Sequence, residues 1–189
     1  MSGHSKWSTI KRQKGANDTK RGQLFTKLGR SITVCARKGG PDPESNSSLR
    51  KAIEDARSES MPKDNIERAI QKATGSGEGN AIIEMVVEAY GPIGAAFYLL
   101  CLSDNRNRTI SEVRGVFNRF DGSLAEAGAT SYIFGADPEN PIFSITAGNE
   151  VEAKKLLDLS SALEDLEDVS KVYSNFEIPD NILHVVVSK

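Results

Sequence analysis

The chain has few of the residues from which catalytic and metal-binding sites are usually built. Its 189 residues include only two histidines, His4 and His184, and two cysteines, Cys35 and Cys101. Neither histidine has neighbours at metal-ligand spacing, and both cysteines lie in apolar stretches, where they are typical of small core residues. Without a nucleophile beside a base or a set of ligands, we predict neither an enzyme nor a bound cofactor or metal ion.

Long hydrophobic runs are also absent. No apolar run approaches the roughly 20 residues that span a bilayer, and the basic, polar start of the chain lacks the apolar stretch of a secretory signal. We therefore expect a cytoplasmic protein with no membrane contact. The carboxylates of residues 164–168 lack the spaced aspartates and the glycine of a calcium loop, which favours a solvated helix end there.

What the sequence does contain is a strong asymmetry of charge, hidden by a formal net charge of −2. Residues 1–75, the basic half, hold 16 of the 24 lysines and arginines and 8 of the 26 aspartates and glutamates. Residues 76–189, the acidic half, hold the remaining 8 and 18, so the two halves carry +8 and −10. In the first 38 residues Asp18 is the only acidic residue against ten basic ones. Such an asymmetry indicates a segment that binds a polyanion.

The basic half is predicted to be a flexible arm over residues 1–18 followed by three helices. Apolar residues recur at helical spacing after the arm until Gly39-Gly40-Pro41 ends the first helix. Asp42, which proline follows, resembles the N-cap of the second helix, and Pro62 opens the third. We expect this basic, nucleic-acid-binding helical domain to close near residue 75.

Residues 76–80 are predicted to be a linker, because their glycines lack the spacing of a phosphate-binding loop. Residues 81–189 then have the periodicity of strands that alternate with helices. We predict a hairpin from Ile82 to Leu102 and, after it, a helix opened by a capping box at Thr109.

Further strands are predicted at residues 130–134 and 169–178, with a last strand at 182–187 in which His184 is expected to be a surface or edge residue. An acidic helix with a leucine face precedes the second of these strands. This order predicts an α+β fold, in which an N-terminal three-helix domain is followed by a ferredoxin-like α+β domain with a largely antiparallel sheet.

The basic residues of the arm and the first helix are the candidates for nucleic-acid contact. Lysine and arginine neutralise phosphates, and an exposed indole offers a stacking surface to an unpaired base. The predicted binding residues are Lys6, Trp7, Lys11, Arg12, Lys14, Lys20, Arg21, Lys27 and Arg30. A solvated helix face is the alternative, and it applies most to Lys27 and Arg30.

A secondary anion site is predicted in the loop before the helix that follows the hairpin. Its residues are Asn105, Arg106, Asn107 and Arg108. Backbone amides at a helix N-terminus attract anions, which supports such a site. The alternative explanation is that these polar residues make local turn and capping contacts.

Several short sequence blocks follow one another in a characteristic order along most of the chain. The first are Ser2-Gly3-His4-Ser5-Lys6-Trp7, Lys20-Arg21-Gly22 and Phe25-Thr26-Lys27-Leu28. The later ones are Met61-Pro62-Lys63-Asp64-Asn65-Ile66, Tyr90-Gly91-Pro92, residues 103–109 and Val172-Tyr173-Ser174-Asn175-Phe176. Together they resemble the signature blocks of the YebC/PmpR family, and several ordered blocks are far more specific than any single motif.

The resemblance implies a regulator of gene expression. Family members are usually labelled DNA-binding transcriptional regulators, whereas a mitochondrial branch is known for translational activation and bacterial relatives are tied to the ribosome. The resemblance also implies a helical N-terminal domain and two α+β domains, the third inserted within the second. Here only a short connection, residues 135–149, stands where the insertion is expected, so we predict that the third domain is missing.

Two kinds of nucleic acid, DNA and RNA, are candidate ligands on these grounds. The family label favours DNA and transcription, but the chain has neither a helix-turn-helix pattern nor a dimerising heptad, and we expect a monomer. A flexible basic arm with one tryptophan suits structured RNA, which favours ribosomal RNA and a ribosome-associated translation factor. A further hypothesis, of a different class, is a protein adaptor whose acidic domain contacts a basic partner.

Overall fold

A computed structural model describes residues 18–75 and 82–188, and these residues form two compact units. The helical unit comprises residues 18–75, 82–85 and 102–106, and the sheet unit comprises residues 86–101 and 107–188. The predicted arm, except for its last residue, and the predicted linker lie outside the described residues. The predicted domain boundaries therefore stay predictions.

The helices come first and the sheet follows. The first three helices are α1 Asp18–Gly39, α2 Ser47–Ser58 and α3 Lys63–Thr74. A hairpin and a fourth helix follow as β1 Ile83–Tyr90, a single 3-10 turn Pro92–Gly94, β2 Ala96–Ser103, α4 Arg106–Arg119 and β3 Ser123–Leu124. The remaining elements are α5 Ser131–Phe134, β4 Ile145–Thr146, α6 Glu150–Glu164, β5 Val169–Ser174, β6 Phe176–Glu177 and α7 Asp180–Ser188. This order confirms the predicted α+β fold class.

The helical unit folds because each of its helices carries one apolar stripe. Ile32 on α1, Leu49 and Ile53 on α2 and Ile66 on α3 are buried in one cluster, and α1 packs against both other helices. Gly40, with φ +92, ends α1 in the left-handed conformation that glycine adopts readily. The first helix therefore ends where the sequence predicts.

The second helix begins at a different residue from the predicted one. Its N-cap is Asn46, whose Oδ1 accepts a hydrogen bond from the Leu49 amide at 3.0 Å. The Nδ2 of the same side chain donates to the carbonyls of Cys35 and Gly40 at 2.9 and 2.8 Å. Asp42 instead accepts a backbone hydrogen bond in the turn before the helix. One buried amide thus caps α2 and also satisfies carbonyls near the end of α1.

The larger sheet has the strand order β3-β1-β2-β5, and β4 and β6 form a separate parallel pair. The pairs β1–β3 and β2–β5 are antiparallel. Within the sheet unit, the ring centroid of Phe97 lies 5.5 Å from that of Phe117 and 6.0 Å from that of Phe176. The predicted leucine face of the acidic helix is confirmed, because Leu156 and Leu163 of α6 are buried.

Two segments predicted as strands are helical. Residues 131–134 form the short helix α5, with Ile133 and Phe134 buried. Residues 182–187 lie in α7, which packs against α6 and buries Leu183, while His184 is exposed. Both segments are rich in β-branched and aromatic residues, whose strand preference is weaker than tertiary packing. Within residues 18–75 and 82–188, no helix combines the length and hydrophobicity needed to cross a bilayer.

Candidate nucleic-acid interface

Most of the predicted binding residues precede the part of the chain that the structure describes. Those outside the described residues are Lys6, Trp7, Lys11, Arg12 and Lys14. Lys20 lies in α1, and only its backbone is described. Arg21, Lys27 and Arg30 are fully described, and all three lie in α1.

These three side chains present different amounts of charge to solvent. Arg21 is exposed, and its guanidinium lies 5.8 Å from the centre of the Phe25 ring, a cation–π distance. Lys27 is half-buried and already takes part in an interaction. Arg30 donates from Nη1 to the carbonyl oxygen of Leu102 at 3.1 Å. Of the three, Arg21 is therefore the one best placed to contact an external phosphate.

The helical unit also presents basic residues that the predicted set does not include. They are Arg37, Lys38, Arg50, Lys51, Arg57, Lys63, Arg68 and Lys72, all exposed. Lys38 and Lys63 form ion pairs with glutamates at 3.0 and 3.3 Å, and Arg50 and Arg68 donate to nearby backbone carbonyls. The exposed basic residues that take part in none of these contacts are Arg37, Lys51, Arg57 and Lys72. The polar faces of the three amphipathic helices are the sequence signal that would have identified them.

Three residues of the predicted secondary anion site lie at the start of α4 rather than in the loop before it, because the helix begins at Arg106, whereas Asn105 precedes the helix. Arg108 donates from Nη2 to both carboxylate oxygens of Asp168, at 3.0 and 2.9 Å. Thr109, predicted to cap the helix, lies within it and donates its hydroxyl to the same carboxylate at 2.7 Å. An external anion would therefore compete with an internal one for Arg108, and anion binding at this site stays a prediction.

Asp168 is a buried structural carboxylate, which corrects the expectation of a solvated helix end over residues 164–168. Its relative exposure is 2%. A carboxylate removed from water needs compensating donors, and the arginine and threonine of α4 supply them. These contacts attach the start of α4 to the turn that precedes β5.

A second buried carboxylate belongs to Glu88 of β1. It accepts hydrogen bonds from the amides of Gly128 and Thr130 at 2.7 and 2.6 Å and from the Thr130 hydroxyl at 2.7 Å. Burial opposes ionisation, but the three hydrogen bonds outweigh it and lower the pKa of Glu88 below its ordinary value of 4.5. The charged side chain therefore holds the loop that leads into α5.

The cysteines have the surroundings of packing residues. Cys101 is fully buried, and Cys35 is half-buried against the core of the helical unit. Burial raises the pKa of the Cys35 thiol above its ordinary 9.0, although the charge of Lys38 opposes the shift. A protonated thiol is a poor nucleophile and a poor metal ligand. Among the described residues, no three cysteine, histidine or acidic side chains are grouped to hold a metal ion.

Two family models match the chain. The model described as TACO1/YebC protein N-terminal domain matches residues 5–76, and the model described as TACO1/YebC second and third domain matches residues 82–137. A relative named probable transcriptional regulatory protein, from Dehalococcoides mccartyi strain CBDB1, is 53% identical over 166 residues, which are 88% of this chain and 65% of the relative. The chain thus covers less than two thirds of that relative's length.

Longer matches extend along the whole chain. A probable transcriptional regulatory protein of Thermotoga maritima is 41% identical over 250 aligned positions that take in 100% of this chain and 99% of the relative. Because this aligned length exceeds 189, the relative contains residues without a counterpart here. The crystal structure of a conserved hypothetical protein from Aquifex aeolicus matches with a TM-score of 0.79 and 36% identity, covering 88% of this chain and 94% of that one.

Proposed function

The chain belongs to the TACO1/YebC family, and from this premise we propose that it regulates gene expression by binding nucleic acid, without catalysing a reaction. The relatives named as probable transcriptional regulatory proteins support the regulatory part of this proposal. The binding part rests on an observation in this chain, the separation of charge along it.

That separation persists in the described residues. Residues 18–75 hold 12 lysines and arginines against 8 aspartates and glutamates, whereas residues 82–188 hold 7 against 17. The fully described basic side chains of the three helices are exposed, except for the half-buried Lys27 and Arg30. A phosphate-rich ligand is attracted to such a surface and repelled by the acidic one. We therefore assign the nucleic acid to the basic half, and the arm adds Lys6, Lys11, Arg12 and Lys14 to it.

We propose structured RNA, such as ribosomal RNA, as the target in preference to duplex DNA. The exposed cations are spread over three helices, with Arg37 on α1, Lys51 and Arg57 on α2 and Lys72 on α3. Proteins that read duplex DNA commonly place the side chains of one recognition helix in the major groove. Distributed cations suit an irregular phosphate surface, and the indole of Trp7 suits unpaired bases. Binding to DNA remains the second candidate, which the names of the relatives favour.

A direct titration tests the proposal. The full chain is titrated, by fluorescence anisotropy over a salt series, against a labelled RNA hairpin with an unpaired loop and against duplex DNAs of several sequences. We expect tighter binding to the RNA at every salt concentration, and a slope of log affinity against log salt of about −3 to −5, for about four to six phosphate contacts. Tighter binding to one particular duplex would support the DNA candidate. Absence of binding to every nucleic acid would support the protein adaptor.

A further inference from the structure

An exposed apolar patch lies on the sheet unit. It consists of Tyr132, Ile142 and Phe143, with relative exposures of 58%, 66% and 47%, and we call it the aromatic patch. The ring centroids of Tyr132 and Phe143 are 5.7 Å apart, with an angle of 42° between the ring planes. Single exposed apolar side chains are ordinary on protein surfaces, whereas neighbouring large ones commonly mark contact sites.

The aromatic patch is held in place by the structure beneath it. The Ile142 amide donates to the carbonyl of Ile133 at 2.7 Å, and the hydroxyls of Tyr132 and Tyr90 lie 3.4 Å apart. Ile133 itself is buried, so this contact attaches the patch to the core of the sheet unit. A surface that is already ordered loses little conformational entropy when a partner binds it.

The charge around the aromatic patch indicates the chemistry of its partner. Between Arg119 and Lys154 the sequence contains no lysine or arginine, and the carboxylates of this segment that lie nearest the patch in the sequence are Asp137 and Glu139. Asp137 and Glu139 are exposed in the turn before Ile142, and the Asp137 carboxylate accepts hydrogen bonds from the Glu139 amide at 3.1 Å and the Asn140 side chain at 2.8 Å. These carboxylates repel phosphate and attract a cation.

Arginine is the cation that matches both features. Its planar guanidinium stacks on aromatic faces and also pairs with carboxylates, while the ammonium of lysine is a strongly hydrated point charge without a stacking face. We propose that the aromatic patch binds an arginine-bearing segment of a partner protein, with the guanidinium on Tyr132 and Phe143 and paired to Asp137 or Glu139. This interaction is separate from the nucleic-acid binding proposed for the basic half and does not depend on it.

Binding of two matched peptides tests this assignment. The full chain is titrated with a fluorescent oligoarginine peptide and with an oligolysine peptide of equal length. We expect the wild-type protein to bind oligoarginine more tightly than oligolysine. In the double variant Tyr132→Ala with Phe143→Ala, the affinity for oligoarginine should fall approximately tenfold, the size expected from losing one or two cation–π contacts. Oligolysine binding should change little. Tyr132→Phe keeps the ring and should bind as the wild type does.

The controls separate this proposal from its alternatives. Val151→Ala removes an exposed apolar side chain outside the aromatic patch, at 76% exposure, and should leave both peptides unaffected. The proposal would be overturned if the double variant lost affinity equally for both peptides. It would also be overturned if the double variant lost RNA-hairpin binding but retained oligoarginine binding. A wild-type dimer that becomes a monomer in the double variant by analytical ultracentrifugation would overturn it as well, because the patch would then join two copies of the chain.

A second variant keeps the test decisive should the double variant fail to fold. Asp137→Asn with Glu139→Gln removes two charges, leaves the apolar side chains in place, and retains one side-chain oxygen at position 137 that can accept the hydrogen bond of the Glu139 amide. Circular dichroism checks that this variant folds. It must weaken oligoarginine binding severalfold, and unchanged binding would be evidence against the proposal.

Discussion

The helical and sheet units differ in where their charged side chains lie. Among the described residues of the helical unit, the buried polar side chains are neutral, as in Thr33 and Asn46, and most basic side chains are exposed. The sheet unit buries two carboxylates, Glu88 and Asp168, each with donors from a segment distant in the sequence. The net charge of a segment therefore does not show how many of its charged side chains are accessible to a ligand. In the sheet unit, the carboxylates of Glu88 and Asp168 are buried and hydrogen-bonded within the protein.

This difference predicts that the two kinds of charge respond to mutation in separate measurements. Removal of a buried carboxylate should lower the stability of the protein and leave its nucleic-acid affinity unchanged. Removal of exposed basic residues should do the reverse, because an exposed charge contributes little to stability.

Asp168→Ala should have the largest effect. The substitution removes the acceptor of Arg108 and Thr109, and we expect the free energy of unfolding to fall by about 3 kcal/mol, as is typical when a buried charged partner is lost. Urea denaturation followed by circular dichroism measures the change. Glu167→Ala, which removes the neighbouring exposed carboxylate, should have little effect. An equal loss of stability in the two variants would show that the burial of Asp168 does not explain its contribution to stability.

Alanine at Lys11, Arg12 and Lys14 should have the next largest effect, this time on binding. Loss of these phosphate contacts should flatten the salt slope by about two units and weaken binding about a hundredfold at ~0.1 M salt, equally for RNA and duplex DNA. The free energy of unfolding should not change. Anisotropy titrations over a salt series measure the affinity and its slope.

A matched variant removes three exposed basic residues from the sheet unit, Arg114, Lys154 and Lys171. Because these lie on an acidic surface, their replacement by alanine should leave the salt slope nearly unchanged. If it flattens the slope as much as the change in the arm does, nucleic acid is not confined to the basic half.

Glu88→Gln should destabilise the protein by about 2 kcal/mol at neutral pH, because the amide accepts fewer of the three hydrogen bonds than the carboxylate does. The pKa of Glu88 is lower in the folded than in the unfolded chain. The stability it contributes is therefore fully present above the unfolded pKa and is lost as pH falls through the folded one. Denaturation of both proteins over a pH series should show the difference shrinking below about pH 4.5. A constant difference would exclude this role of the charge.

Trp7→Ala should have the smallest effect and the most selective one. Stacking on an unpaired base contributes ~1–3 kcal/mol, so we expect about a tenfold loss for the RNA hairpin and little loss for duplex DNA. Titration of wild type and variant against both ligands at the same salt concentration measures the two losses of affinity. Equal losses would remove the reason to prefer RNA and restore the DNA candidate to first place.

The amphipathic helices and the hairpin could be predicted because their patterns repeat locally. Leu49 and Ile53 mark the buried side of α2 at helical spacing, and Leu156 and Leu163 do so in α6. The segment before Gly135 could not be predicted in this way. Its β-branched and aromatic residues indicate a strand, yet the chain turns into α5 where Glu88 binds the Thr130 amide.

The candidate binding residues show the same limit. The sequence identifies a basic arm and first helix, but local patterns do not reveal that Arg30 donates to Leu102 or that Arg108 already has a carboxylate partner. Nor do they reveal that Tyr132 and Phe143, eleven positions apart in the sequence, form one exposed patch.

By itself, the sequence determined the fold class, the amphipathic helices and the separation of charge, because these follow from composition and from periodicities of two to four residues. Only the tertiary structure decided which charges are buried and which two of the predicted strands are helical instead. The deciding hydrogen bonds, such as Thr130 to Glu88 and Thr109 to Asp168, join residues 42 and 59 positions apart. Contacts across such separations leave no periodic trace in the sequence, since they depend on where packing brings the two segments.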